Sequence, residues 1–254
     1  MIRKAIPSVV AILVAASLLW ASGDPWKSKP YQQWDSKDIQ KIFNDSPWSK
    51  ILQVGSSLTS AKGNSGDNPE ETMNSANRNM VTRPGQDPHG SQSVASGNQM
   101  PSGAPGSWIY VFRWVSSRTI REAAARKDVL SGQTKEEDAA KQLAVPIDSY
   151  QILVAGTYMG AFQGADEAKL RSISFLQTKK NKTKIAPSEV KIERAADGKT
   201  VQSVVFTFPK KTPTDEPTIA PDEKGADFST SAGGQKIGAS FDFSKMEDSQ
   251  GRDL

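Results

Sequence analysis

Chemistry at neutral pH needs a nucleophile, a titratable base or a metal ligand, and this chain is sparing with all three. It has no cysteine and a single histidine, His89, set in a stretch of Gly, Ser, Asn and Pro. Thiol catalysis and cysteine-ligated metal are excluded by composition. A Ser-His-Asp triad or a two-histidine zinc site needs imidazoles held by a rigid scaffold, which the surroundings of His89 do not offer. Gly156, Gly160 and Gly164 follow a strand-like run, but their spacing fits neither a phosphate loop nor a dinucleotide fingerprint. The reading is no cofactor, no metal and no assigned catalytic residue.

Carboxylates are the remaining option, since two acids facing each other across a cleft can do general acid-base work. Glu136, Glu137 and Asp138 are the densest group, but they fall in the first turn of a helix, where acids oppose the helix dipole. Asp222 with Glu223, and Glu247 with Asp248, fall in loops. The most site-like feature is Ser116-Ser117-Arg118, polar and basic groups between a strand end and a helix start. Such a place can hold an anion or a partner's polar group. It can equally be a capping turn with a solvated arginine.

The elements that position these groups follow from periodicity. Trp108 to Val115 is the strongest strand signal, with Trp108, Tyr110, Phe112 and Trp114 on one face and Ile109, Val111 and Val115 on the other. Apolar residues on both faces predict a central strand covered by helices on at least one side. Two helices are expected after it, the first opening on a capping box at Thr119–Glu122 and the second at Thr134–Glu137, ending before Pro146. Tyr150 to Ala155 reads as a strand, and 165–170 as a short helix. Three hairpins follow, turning at Lys179–Lys182, at Asp197-Gly198 and at Gly233-Gly234, with a proline-rich surface loop over 209–221. The fold class is α+β, mainly an antiparallel meander with two or three helices over 108–246, then a polar C-terminal tail, 247–254.

Two further segments precede this domain. Residues 24–54 are aromatic-rich, with a helix start at Asp35–Asp38, a second at Ser46-Pro47-Trp48, and a strand-like Ile51–Val54. Trp26, Tyr31, Trp34, Phe43 and Trp48 read as staples onto the main domain rather than as a carbohydrate platform. Residues 55–107 contain no Phe, Trp, Tyr or Ile, and cannot bury enough apolar area to offset chain entropy. They are expected to be a disordered insertion between two pairing strands, the alternative being a linker.

The chain opens with Arg3 and Lys4, an apolar run from Ala5 to Trp20, and Ala21-Ser22-Gly23. A basic start, a short apolar stretch and a small-residue exit read as a secretory signal peptide, 1–23, cut after Gly23 or after Ala21. The alternative is an uncleaved anchor, for which the run is short and interrupted by Pro7. Two of the net +4 charges belong to Arg3 and Lys4, and the Lys179–Lys184 run has no interleaved aromatic residue. Nucleic acid is therefore not the expected partner.

Lys29-Pro30-Tyr31, Asp45-Ser46-Pro47-Trp48, Arg113-Trp114 with Ser116-Ser117 and Arg121, and the final Phe241-Asp242-Phe243 with Met246 and Gly251 resemble a family of exported acidobacterial proteins with no assigned activity. The resemblance implies export and an α+β domain, and carries no functional residue over. The expected function is an exported, periplasmic or secreted, non-catalytic module, binding or envelope-associated. Its partner would be another envelope protein or a polysaccharide, and the membrane only if the signal stays uncleaved. The alternative is a carboxylate-dependent hydrolase. N-terminal sequencing of the exported protein is expected to begin at Ser22 or Asp24. A membrane-bound chain still starting at Met1 contradicts export with cleavage.

Overall fold

A computed structural model of the chain describes residues 23–55 and 107–254. The expected signal, apart from Gly23, and the expected insertion, apart from its end residues, lie outside the described residues. Alternation of bulky side chains along residues 107–114 makes β2 (Ser107–Trp114), which pairs antiparallel with β1 (Ser49–Gly55) from Ser49↔Arg113 to Gly55↔Ser107. The segment between them therefore connects two adjacent strands. On its other side β2 pairs with β3 (Ser149–Gly156), which pairs with β7 (Val201–Pro209), and β6 (Glu189–Arg194) closes the order β1-β2-β3-β7-β6.

The second sheet has the order β5-β4-β8-β9, from β4 (Phe175–Thr178), β5 (Lys184–Ile185), β8 (Gly225–Ala232) and β9 (Gln235–Asp242). The chain is α+β with antiparallel sheets, and its hairpins alternate between the two. Asp197-Gly198 turns β6 into β7 and Gly233-Gly234 turns β8 into β9, all three glycines at positive φ, which costs glycine nothing.

Between the sheets lies an aromatic core. Phe228 of β8 stands 5.9 Å from Phe112, 5.0 Å from Phe206 and 6.1 Å from Phe208, ring centre to ring centre. Trp114 stands 5.2 Å from Phe241 and 5.5 Å from Phe243. The inner face of β2 is thus covered by a sheet, while on its other face Arg113 packs over the Phe43 ring at 4.6 Å and donates to the Phe43 carbonyl at 2.9 Å. Hairpin-forming strands have few options but a second sheet when the helices fall between them in the chain rather than after each strand.

Five helices frame the sheets among the described residues: α1 (Pro25–Ser28), α2 (Ser36–Asn44), α3 (Arg118–Leu130), α4 (Glu136–Ala144) and α5 (Glu167–Ile173). Asp35 caps α2 by accepting from the amides of Lys37 and Asp38, in a reciprocal box with Asp38. Ser46-Pro47 does not open a helix. Ser46 donates its hydroxyl to the Ile42 carbonyl and the chain turns directly into β1. Trp26, Trp34, Ile42, Phe43 and Trp48 are buried in the same cluster as the sheet residues, so residues 24–54 share the core of the rest. The end of the chain is not a solvated tail. Strands β10 (Glu247–Asp248) and β11 (Gly251–Arg252) pair, and Asp253 is buried.

Phe112 is fully buried at the centre of this core. Phe112→Ala is expected to cost about 3–5 kcal/mol, as large-to-small core substitutions do, read from denaturant unfolding. A loss below about 1 kcal/mol would mean that this face is not a packed interior.

Candidate functional site

The end of β2 and the start of α3 are joined by the three residues singled out from sequence. Ser116 is buried, and its hydroxyl accepts from the Gln151 amide of β3 at 3.1 Å. Ser117 is the N-cap: its hydroxyl accepts from the Ile120 amide at 3.3 Å and donates to the Trp114 carbonyl at 3.0 Å. The cap therefore lies two residues before Thr119, where a capping box was expected. Arg118 makes a side-on pair with Asp248, Nε to Oδ2 at 2.7 Å and Nη2 to Oδ1 at 2.6 Å.

The helix start does hold an anion, and the chain itself supplies it. The carboxylate of Asp253 accepts from the Arg118 amide at 2.6 Å and from the Thr119 amide at 2.9 Å. Free amides and the positive end of the helix dipole make this position favourable for a carboxylate. The Asp253 carbonyl accepts from the Trp48 indole at 2.7 Å, so one residue joins α3, the first segment and the chain end. Sequence reasoning located the socket and missed its occupant, because 135 residues separate Arg118 from Asp253.

Beside this pair lies Glu122, one turn along α3 and half-buried. Burial raises its carboxyl to about 7, with Arg118 and Arg121 opposing and the neighbouring Asp248 and Asp253 reinforcing the rise. Burial also pushes Asp253 above the usual carboxylate range, against the pull of the two amides. The acids weighed from sequence are dispersed instead. Glu136 pairs with Arg126 at 3.3 Å, and Glu137 is exposed. Asp222 pairs with Lys180. Glu223 is buried and accepts from the amides of Lys180, Lys224 and Gly225, which shapes the turn into β8. Among the described residues no cluster of acids and histidine is arranged to hold a metal.

At the opposite end of β2 the structure shows a feature that the alternation rule assigned to the core. Trp108 is 44% exposed, and so is Tyr158 at 49%. Their rings stack with centres 5.3 Å apart and planes 28° from parallel. Pairing of the strands continues past β3, since the Thr157 amide donates to the Ile109 carbonyl and the Ile109 amide to the Thr157 hydroxyl. That contact carries Tyr158 to the side of Trp108. Gly160 completes the arrangement: a side chain there would meet the Tyr158 ring at 2.4 Å. Neither a protein family, nor a curated protein, nor a solved structure matches this chain.

Two substitutions test the cluster at α3. Asp253→Asn places an amide group where two backbone N–H donors converge, and is expected to cost about 1–3 kcal/mol. Glu122→Gln reads the raised carboxyl. A folded-state value above the unfolded one favours the protonated protein, so this stabilisation is complete below about 4.5 and is lost as pH rises towards 7. Glu122→Gln is thus expected to match the wild type in thermal stability near pH 4.5 and to exceed it at pH 8. An unchanged gap across that range contradicts the burial of this carboxyl.

Proposed function

We propose that the mature protein is an exported, non-catalytic binding module, and that Trp108 and Tyr158 form its contact surface for a polysaccharide. The observation that carries the reading is the stacked, half-exposed aromatic pair. Large aromatic rings are normally drawn into the core, and this protein buries Trp26, Trp34, Trp48 and Trp114. A tryptophan and a tyrosine held flat against each other in solvent offer an apolar face with polar edges, which suits the C–H face and hydroxyl rim of a sugar ring. Export is supported by the basic, apolar and small-residue succession at residues 3–23. Among the described residues no helix is long and apolar enough to cross a membrane.

One observation favours a second reading, a carboxylate hydrolase. Glu122 is held near 7, where it could act as a general acid at neutral pH. Against this, the two neighbouring carboxylates are committed, Asp248 to Arg118 and Asp253 to the helix amides. No second carboxylate at that position is free to act as nucleophile or base.

The binding reading is tested by titrating soluble polysaccharides against tryptophan fluorescence and by pull-down on insoluble ones. Trp108→Ala and Tyr158→Ala are each expected to weaken binding about 10-fold or more, with thermal stability changed little because both rings are half exposed. Polysaccharide binding that survives both substitutions removes the pair from the function. Turnover of a glycoside, ester or peptide substrate that Glu122→Gln abolishes replaces the binding module with the hydrolase.

A further inference from the structure

The cation–aromatic pairs at the far end of β3 are not used by the reading above. Tyr150 lies near the start of β3 and Tyr158 just past its end, roughly 26 Å apart by strand rise. Around Tyr150 is a shallow depression of about 280 Å³, lined by Tyr150, Lys210, Ile219, Arg252 and Leu254. Lys210 donates to the Ile147 carbonyl at 2.8 Å, and its ammonium stands 5.4 Å from the centre of the Tyr150 ring. Arg252 lies over Phe243 at 5.0 Å and spends only Nη1, on the carbonyls of Ala220 and Pro221.

Among the described residues, neither Lys210 nor Arg252 has an ion-pair partner. The Nε and Nη2 atoms of Arg252 are buried without any hydrogen-bond acceptor. Tyr150 is 8% exposed, and burial pushes its phenol above the ordinary range, so the hydroxyl keeps its proton to donate. Buried donors without acceptors are costly, and the carboxylates of Asp148 and Asp253 act on Lys210 only from beyond ion-pair distance. Arg118 shows what the same guanidinium edge does in this protein when a carboxylate reaches it, binding Asp248 through Nε and Nη2.

We infer that the depression between Tyr150, Lys210 and Arg252 is a binding site for a carboxylate group carried on a short apolar stem. The two cations and the phenol hydroxyl receive the carboxylate, and Ile219 and Leu254 form the wall against the stem. A planar carboxylate matches the side-on guanidinium edge. A phosphate would set a third oxygen and a second charge against the apolar wall. The unpartnered edge of Arg252 is shielded from water, so its full engagement requires a local movement of the lining. A free acid and the acidic end of a larger molecule present the same group to this site, which is open to solvent on one side.

Isothermal titration of the full chain with butyrate, acetate and inorganic phosphate tests the site. Butyrate is expected to bind with a Kd on the order of 1 mM, a reasonable figure for so few atoms. Acetate, lacking two methylenes, is expected to bind about 10-fold more weakly. Tyr150→Phe removes only the hydroxyl and is expected to weaken butyrate about 3- to 10-fold. Lys210→Met is expected to weaken it more, and Trp108→Ala not at all, which separates this site from the aromatic pair. If Lys210→Met does not fold, Tyr150→Phe decides alone. Absence of saturable binding by both butyrate and an acidic polymer, equal affinity in Tyr150→Phe, or phosphate bound more tightly than butyrate each overturns the inference. A free acid that fails while an acidic polymer binds and depends on Tyr150 identifies the larger molecule as the source.

Discussion

One carboxylate near the end of the chain fixes the arrangement of its distant parts. Asp253 accepts the first free amides of α3, and its own carbonyl accepts the Trp48 indole. These contacts tie the C-terminal residues to a central helix and to the aromatic first segment in one place. A charge buried this way must be compensated in full, because leaving it without partners costs more than the contacts return. Here the compensation is structural: two backbone donors at a helix start whose dipole favours negative charge. The neighbouring Asp248–Arg118 pair fixes the short β10–β11 ribbon that delivers Asp253 to its position.

That attachment decides what the aromatic core can be. Trp114 ends β2 directly before the socket and packs edge-on against Phe241 and Phe243, which precede the ribbon by a few residues. The two sheets therefore close over Trp114 at one end. At the other end Tyr110 packs edge-on against Phe162, and beyond it Trp108 stacks on Tyr158 in contact with solvent. The same strand thus buries Tyr110, Phe112 and Trp114 while presenting Trp108 to solvent. Alternation along a strand predicts which face a side chain is on, and what packs over that face determines how much of it is interior.

Local chemistry made much of this fold readable. Asp197-Gly198 and Gly233-Gly234 turn because their backbones take positive φ cheaply, and the strands on either side pair as their alternation requires. Asp35 and Asp38 announce α2 in the same way. Long-range partnerships were not readable. The last eight residues are polar in composition, and nothing in Glu247–Leu254 reveals that Asp253 will meet amides 134 and 135 positions earlier. Ser46-Pro47 has the local form of a helix start, and the competing pull of β1 pairing with β2 overrides it. The depression at Tyr150 was equally hidden, since its lining comes from β3, the proline-rich loop and the chain end.

The cluster at α3 also bears on catalysis. Arg118 is one positive charge facing Asp248 and Asp253, with Glu122 beside them. Three ionised carboxylates could not share that arginine at low cost in a half-buried place. Burial is the main reason that Glu122 is raised to about 7, and the proton it holds up to that point also relieves the smaller repulsion from Asp248 and Asp253. A general acid placed by evolution for hydrolysis would need a second carboxylate left free across a cleft. The two candidates are instead consumed in holding α3 to the C-terminal ribbon. The perturbed glutamate is therefore explained by its burial beside the attachment of the chain end to α3.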